Sequence, residues 1–253
     1  MTKFIDRSNV NGADNYKAAG ITHIYLKATE GTSFVDSTFL SRRAEAHAAG
    51  AIAGGYHFAQ NGDPVAEANH FLAVVGHPRP GQLRPCLDLE TGESAQWAGE
   101  FVQRVRSVLG YWPVVYGNTS TIPALRAANA AVRACPWWRA EYGPNDGQRH
   151  PLQGGTLGCS AHQYTSVATI PGISGHTDQS VFMPGGEAAM LVPSATPAKK
   201  RKKWRRPAYY ELHYTDVFGD AQVVKTRFPG IWEHRHPMAR RRPPGVHAVP
   251  KFK

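Results

Sequence analysis

Two hydrophobic periods alternate along the first 190 or so residues. Ile21–Ala28 (ITHIYLKA) is a β-branched and aromatic run that predicts a strand. Phe39–Ala49 (FLSRRAEAHAA) predicts a helix, stopped by Gly50, a residue that readily takes the left-handed conformation at a helix end. Ala51–Ala59 predicts a glycine-containing strand. Val65–Val75 predicts a helix with Ala66, Ala68 and Leu72 among its apolar positions. Pro85–Glu90 (PCLDLE) predicts another strand, followed by a helix within Ser94–Leu109. Val114–Tyr116 predicts a strand and Ile122–Ala134 a helix. Trp137–Ala140, Ser160–Tyr164 and Thr177–Phe182 complete the series as short strands. Strands alternating with helices imply βαβ units and a parallel sheet. A body of about 190 residues is short for a full eight-fold barrel of about 250, and its last third holds little helix. The pattern therefore predicts an incomplete β/α barrel.

The pattern ends near Pro193. Residues 1–193 are expected to form one domain, 194–206 a basic linker and 207–253 a basic C-terminal tail. Tyr209–Phe228 is a candidate hairpin with Gly219-Asp220 at its turn. His234–Lys253, rich in proline and arginine, is expected to be extended or disordered. Charge sharpens this division. The 253 residues carry a net charge of +10, but residues 1–193 hold 14 Lys and Arg against 15 Asp and Glu. Residues 194–253 hold 15 against 4. A neutral body with a basic tail differs from a nucleic-acid-binding domain, whose charge is spread over the fold. A hydrophobic content of 42% excludes a wholly disordered chain, and no run of 18 apolar residues offers a membrane span. Cys86, Cys135 and Cys159 are odd in number and lack CxxC spacing, so they are expected to be buried small side chains. Met1–Asp6 has no apolar core of a signal peptide, and the chain is expected to be made in the cytoplasm without one.

Candidate chemistry centres on carboxylates at strand ends. Along Cys86–Glu90 side chains alternate, placing Cys86, Asp88 and Glu90 on one side and Leu87 and Leu89 on the other. In a barrel the C-terminal end of such a strand lies at the catalytic face. Two carboxyls placed there repel one another and favour retention of one proton, as a general acid requires. Asp6 ends the first short apolar run, and Asp178 leads the last strand. Each alone fits a turn or cap. In a closed barrel, however, first and last strands are neighbours, so both are able to join the Asp88/Glu90 pair.

These landmarks fall in a recognisable order. Phe4-Ile5-Asp6-Arg7-Ser8, Lys27-Ala28-Thr29-Glu30-Gly31 and Gly55-Tyr56-His57-Phe58 come first. Asp88-Leu89-Glu90, Val115-Tyr116-Gly117-Asn118, Gln163-Tyr164 and Gly172–Asp178 follow. Residues 3–185 thereby resemble the lysozymes of glycoside hydrolase family 25, the Chalaropsis-type muramidases. The resemblance implies a flattened, incomplete TIM-like β/α barrel that cleaves the β-1,4 bond after N-acetylmuramic acid in peptidoglycan, with no cofactor and no metal. Residue by residue, Glu90 matches the family's proton donor, and Asp6, Asp88 and Asp178 its other active-site carboxylates. Crowding by the three aspartates is expected to raise the pKa of Glu90. Asp178, then Asp6, is favoured as the carboxylate opposing it. Direct attack, a water-mediated route and participation of the substrate's acetamido group all stay open.

Sugar faces pack on aromatic rings, so Tyr56, Tyr116, Trp138 and Tyr164, with Lys27, are the expected substrate-binding residues. The chain departs from the family pattern at His162, where Trp is common, and around Asn11, where Gln is usual. His57 is expected to be a buried hydrogen-bonding group. The run Lys199–Arg206 (KKRKKWRR) suits anionic wall polymers or a membrane surface better than nucleic acid. Without a signal peptide, a phage endolysin that reaches the wall at lysis is the expected setting. Two alternatives differ in their carboxylates. A non-catalytic wall- or polyanion-binding scaffold would lose some of the four, and a chitinase commonly shows a longer DxxDxDxE strand, where this chain has only DLE.

Overall fold

The computed structural model describes residues 1–194, 209–215, 221–226 and 247–251. They belong to two units, divided between residues 195 and 196.

In the first unit the strands are β1 (Lys3–Arg7), β2 (His23–Glu30), β3 (Phe34–Val35), β4 (Ile52–Phe58), β5 (Cys86–Asp88), β6 (Val114–Asn118), β7 (Trp137–Ala140), β8 (Ala161–Ala168) and β9 (Thr177–Phe182). The helices are α1 (Phe39–Ala48), α2 (Pro64–Val75), α3 (Ala95–Leu109), α4 (Ile122–Ala128), α5 (Ala130–Ala134) and α6 (Gly186–Met190). β1 pairs in parallel with β2, and parallel pairing continues through β4, β5, β6, β7 and β8. β9 then runs antiparallel to both β8 and β1 and closes an eight-stranded barrel. The expected all-parallel sheet thus fails at one strand. Residues 169–176 connect β8 to β9 without a crossover helix, and a connection of that kind returns the chain antiparallel. Helices follow β2, β4, β5 and β6 but none separates β7, β8 and β9, which is where the barrel is incomplete.

Local chemistry accounts for the helix ends. Asp63 caps α2 by accepting from the Ala66 amide at 2.7 Å, with Pro64 in the first turn. Ser94 caps α3 through the Trp97 amide at 3.1 Å, and Gly110 ends that helix at φ 82°. The helix expected over Ile122–Ala134 is broken at Asn129, whose backbone is extended (φ −132°, ψ 121°). Its side chain instead caps α5 through the Ala131 and Val132 amides.

Alternation along the strands builds two apolar layers. Ile5, Leu26, Leu87, Leu89, Val115 and Trp137 face outward against Phe71, Phe101 and Val102 of the helices. Phe4, Tyr25, Cys86, Tyr116, Trp138 and Phe182 fill the barrel interior. There Phe4 stacks on Phe182 with ring centroids 4.5 Å apart, and Tyr25 stacks on Trp138 at 5.0 Å. Cys86, Cys135 and Cys159 are free and buried. His57 is fully buried and bonded on both nitrogens, to Thr29 Oγ1 at 2.8 Å and Glu67 Oε2 at 2.9 Å. No helix among the described residues is long and apolar enough to cross a membrane.

The second unit's described residues are three strands, β10 (Tyr209–Thr215), β11 (Ala221–Thr226) and β12 (His247–Lys251). β10 pairs antiparallel with both others. The proposed turn at Gly219-Asp220 and the Lys199–Arg206 run lie outside the described residues.

Candidate active site

At the C-terminal mouth of the parallel strands the barrel opens into a cleft of about 260 Å³. All four carboxylates singled out from the sequence line it. Asp6 comes from the end of β1, and Asp88 and Glu90 from the end of β5. Asp178 comes from the start of β9, because a strand running antiparallel to the rest begins where its neighbours end. The barrel order sets β5 four strands from β9 in either direction, so Asp178 faces the Asp88/Glu90 pair across the barrel. Asp6 and Asp178 are Cα partners.

The alternation expected of Cys86–Glu90 holds. Cys86, Asp88 and Glu90 line the cleft while Leu87 and Leu89 pack outward. Asp88 is 7% exposed, and its Oδ1 has no hydrogen-bond partner among the described residues. Burial first, then the charges of Glu90 and Asp6, hold its pKa well above the usual carboxylate range. Burial and the charge of Asp178 do the same for Asp6, against the opposing hydrogen bond from Gln163. Burial pushes Asp178 up to about 6, with a further rise from Glu90. Glu90 is also raised, chiefly by burial and then by the charge of Glu93. Glu90 sits at the exposed rim, and its charge raises each of Asp6, Asp88 and Asp178, so the four carboxyls crowd one another as one group.

Of the expected substrate-binding residues, Lys27, Tyr56, Tyr116 and Trp138 line the cleft. Trp138 is its floor, 2% exposed, with Nε1 donating to Ser180 Oγ at 3.0 Å. Lys27 is held 2.5 Å from Glu30 and lies over the Phe58 ring at 4.9 Å. Tyr164 does not line the cleft. β8 turns Gln163 inward, so His162 and Tyr164 lie on the other side, with the Tyr164 hydroxyl donating to Gln179 Oε1. The departure at His162 therefore leaves the cleft untouched, since its Nε2 meets the Glu141 carbonyl at 2.7 Å.

Phe58, Tyr142 and Gln163 line the cleft without having been chosen from the sequence. Gln163 was legible in principle, because the alternation that carries Tyr164 outward carries Gln163 inward. Tyr142 lies in an irregular segment after β7, where no periodicity marks it. Glu93 was likewise missed. It is 3% exposed, with Oε1 accepting from the Thr91 hydroxyl and Oε2 without a partner among the described residues.

A family model described as "Glycosyl hydrolases family 25" matches residues 5–173. Lysozyme M1 of Streptomyces globisporus is 29% identical over 212 residues, covering 74% of this chain and 69% of that protein. The autolytic lysozyme of Clostridium acetobutylicum is 30% identical over 177 residues, covering 67% of this chain and 51% of that protein. Among solved structures, the bacterial lysozyme from Streptomyces coelicolor superposes with a TM-score of 0.64 at 25% identity, over 75% of this chain and 96% of that one. The CTP1L endolysin superposes with a TM-score of 0.59 at 31% identity, over 72% and 67% respectively.

Proposed function

The chain belongs to the glycosyl hydrolases of family 25, and from that premise we propose that it is a peptidoglycan N-acetylmuramidase. The observation that carries this reading is the convergence of Asp6, Asp88, Glu90 and Asp178, from three strands, on one cleft floored by Trp138. A glycosidic oxygen is a poor leaving group until protonated. Glu90, raised in pKa and at the open rim, delivers the proton. The C1–O bond breaks, and positive charge develops on the sugar ring. Asp178, facing Glu90 across the barrel, stabilises that charge, and Asp6 beside it adds to the same field. Water completes the hydrolysis, and a proton returns to Glu90. Tyr56, Tyr116 and Lys27 line the walls against which the glycan lies.

The full β-1,4 glycosidase activity is tested by turbidity clearing of purified cell walls. Glu90→Gln is expected to lower the rate by about 10²–10⁴-fold. A variant that clears walls as fast as wild type removes Glu90 as proton donor. The likeness to the CTP1L endolysin supports an endolysin role for this chain. In that setting Lys199–Arg206 would hold the enzyme on anionic wall polymers. Neutralising that run should weaken wall binding and flatten its salt dependence, and unchanged binding removes the targeting role.

A further inference from the structure

Gln163 is 2% exposed and stands on β8 with Ser180 of β9 as its Cα partner. Its carboxamide has one acceptor oxygen with two lone pairs, and one nitrogen that only donates. Both lone pairs are filled, by the Tyr116 hydroxyl at 2.6 Å and the Tyr142 hydroxyl at 2.7 Å. The nitrogen is thereby turned to β1, where Nε2 donates to Asp6 Oδ2 at 2.9 Å. One amide thus joins a phenol on β6, a phenol beyond β7 and a carboxylate on β1.

Resting on the muramidase reading, we infer that Gln163 is a positioning residue that fixes Asp6 with Oδ2 as a proton acceptor and keeps Asp6 from competing with Glu90 as proton donor. An N–H given to Oδ2 is worth more to the ionised carboxylate than to the neutral acid, so it favours the form of Asp6 that has no proton to give. The Asp6 carboxylate fixes the amide's orientation, because a turned amide would set an acceptor oxygen against an acceptor-only group, whereas the phenols can donate or accept. In a cleft where several carboxyls hold raised pKa values, this arrangement assigns separate roles to chemically similar groups. The titratable groups that share the cleft with Gln163 are the carboxyls of Asp6, Asp88, Glu90 and Asp178, the phenols of Tyr56, Tyr116 and Tyr142, the Cys86 thiol and the Lys27 ammonium.

The test compares Gln163→Met and Gln163→Glu with wild type in the full chain, measuring kcat and KM on solubilised, uncrosslinked peptidoglycan strands at pH 5 and pH 7. Gln163→Met removes donor and acceptor, and kcat should fall about 10–100-fold with KM little changed, by the same factor at both pH values. Gln163→Glu should be as impaired at pH 7 but recover toward wild type at pH 5. A protonated carboxyl again offers an acceptor oxygen to the phenols and a donor to Asp6. A Gln163→Glu to wild-type activity ratio that is flat or falls from pH 7 to pH 5 overturns the inference, as does a Gln163→Met defect confined to KM. If Gln163→Met does not fold, the Gln163→Glu ratio decides alone. Glu90→Gln, assayed in parallel, separates the two levels. Activity in that variant overturns the muramidase assignment of Glu90, whereas an inactive Glu90→Gln beside a flat Gln163→Glu ratio overturns only the role given to Gln163.

Discussion

Asp6 and Asp178 stand directly opposite one another across the seam where β1 meets β9. Directly opposed positions of an antiparallel pair have Cα atoms about 4.5–5.5 Å apart, so two like charges there repel strongly. The pair closes the barrel and strains it electrostatically at the same point.

Relief of that repulsion should be measurable. Asp178 has its pKa raised to about 6 in the fold, chiefly by burial. A raised carboxyl contributes stability that is full below its unfolded pKa of about 4 and lost as pH rises through about 6. Asp178→Asn should therefore stabilise the protein at pH 7 by on the order of 1–2 kcal/mol, after discounting for its partial contact with solvent. At pH 4 the gain should vanish. Thermal unfolding at the two pH values checks this, and an equal shift at both would rule out the electrostatic origin. Wall-clearing activity should fall at the same time, by about 10²-fold or more.

Glu93 should set the alkaline limb of activity. Its charge helps to raise the pKa of Glu90, and its side chain is buried beside the Asp88-Leu89-Glu90 segment. Glu93→Gln removes that charge and should move the alkaline limb of kcat/KM down by ~0.5 pH unit. An unmoved limb would show that Glu93 serves only to accept the Thr91 hydroxyl.

The His57–Glu67 pair should make the fold acid-sensitive. Burial would raise Glu67, but hydrogen bonds from His57 and from the Gln60 and Gly62 amides outweigh it and leave the carboxyl below its usual value. Burial lowers His57, keeping it neutral. Both contributions are present at neutral pH. That of His57 declines as pH falls below about 6.5, and that of Glu67 below about 4.5. Glu67→Gln should cost about 2–4 kcal/mol at pH 7, with the gap to wild type narrowing toward pH 4. Denaturant unfolding across that range reads the difference.

Gly99 should resist substitution. A Cβ there would lie 2.1 Å from Asn129 Nδ2, the side chain that caps α5. Gly99→Ala should destabilise by about 1–3 kcal/mol through overpacking and loss of the cap. Asn129→Ala combined with it should cost less than the sum of the two single changes, since the clash and the cap share one side chain. Strict additivity in the double-mutant cycle would refute the shared contact.

Much of the molecule was legible along the chain. Every strand named from β2 to β9 except the two-residue β3 was anticipated, and the inward side of Cys86–Glu90 followed from alternation. The ordered motifs by themselves point to the family. The break at Asn129 was not legible, because an Asn inside a helical run caps a new helix only where the fold leaves its side chain room, here beside Gly99, 30 positions away. The outward turn of Tyr164 was missed for another reason. Tyr164 lies near a strand end, but the alternation of β8 that turns Gln163 into the cleft turns Tyr164 out of it.

Local order along the chain determined which segments become strands and helices, and which side chains of one strand share a face. These depend on backbone geometry and on neighbours a few residues away. The tertiary structure alone decided that β9 runs antiparallel and sets Asp178 against Asp6. It also placed Asp178 across from Glu90 and turned one amide, Gln163, to tie two phenols to a carboxylate. It decided, too, that burial raises the deep aspartates as well as Glu90. Strand pairing and dehydration join residues that lie tens of positions apart or, as at Asp6 and Asp178, at opposite ends of the barrel's sequence, and no local pattern encodes such distances.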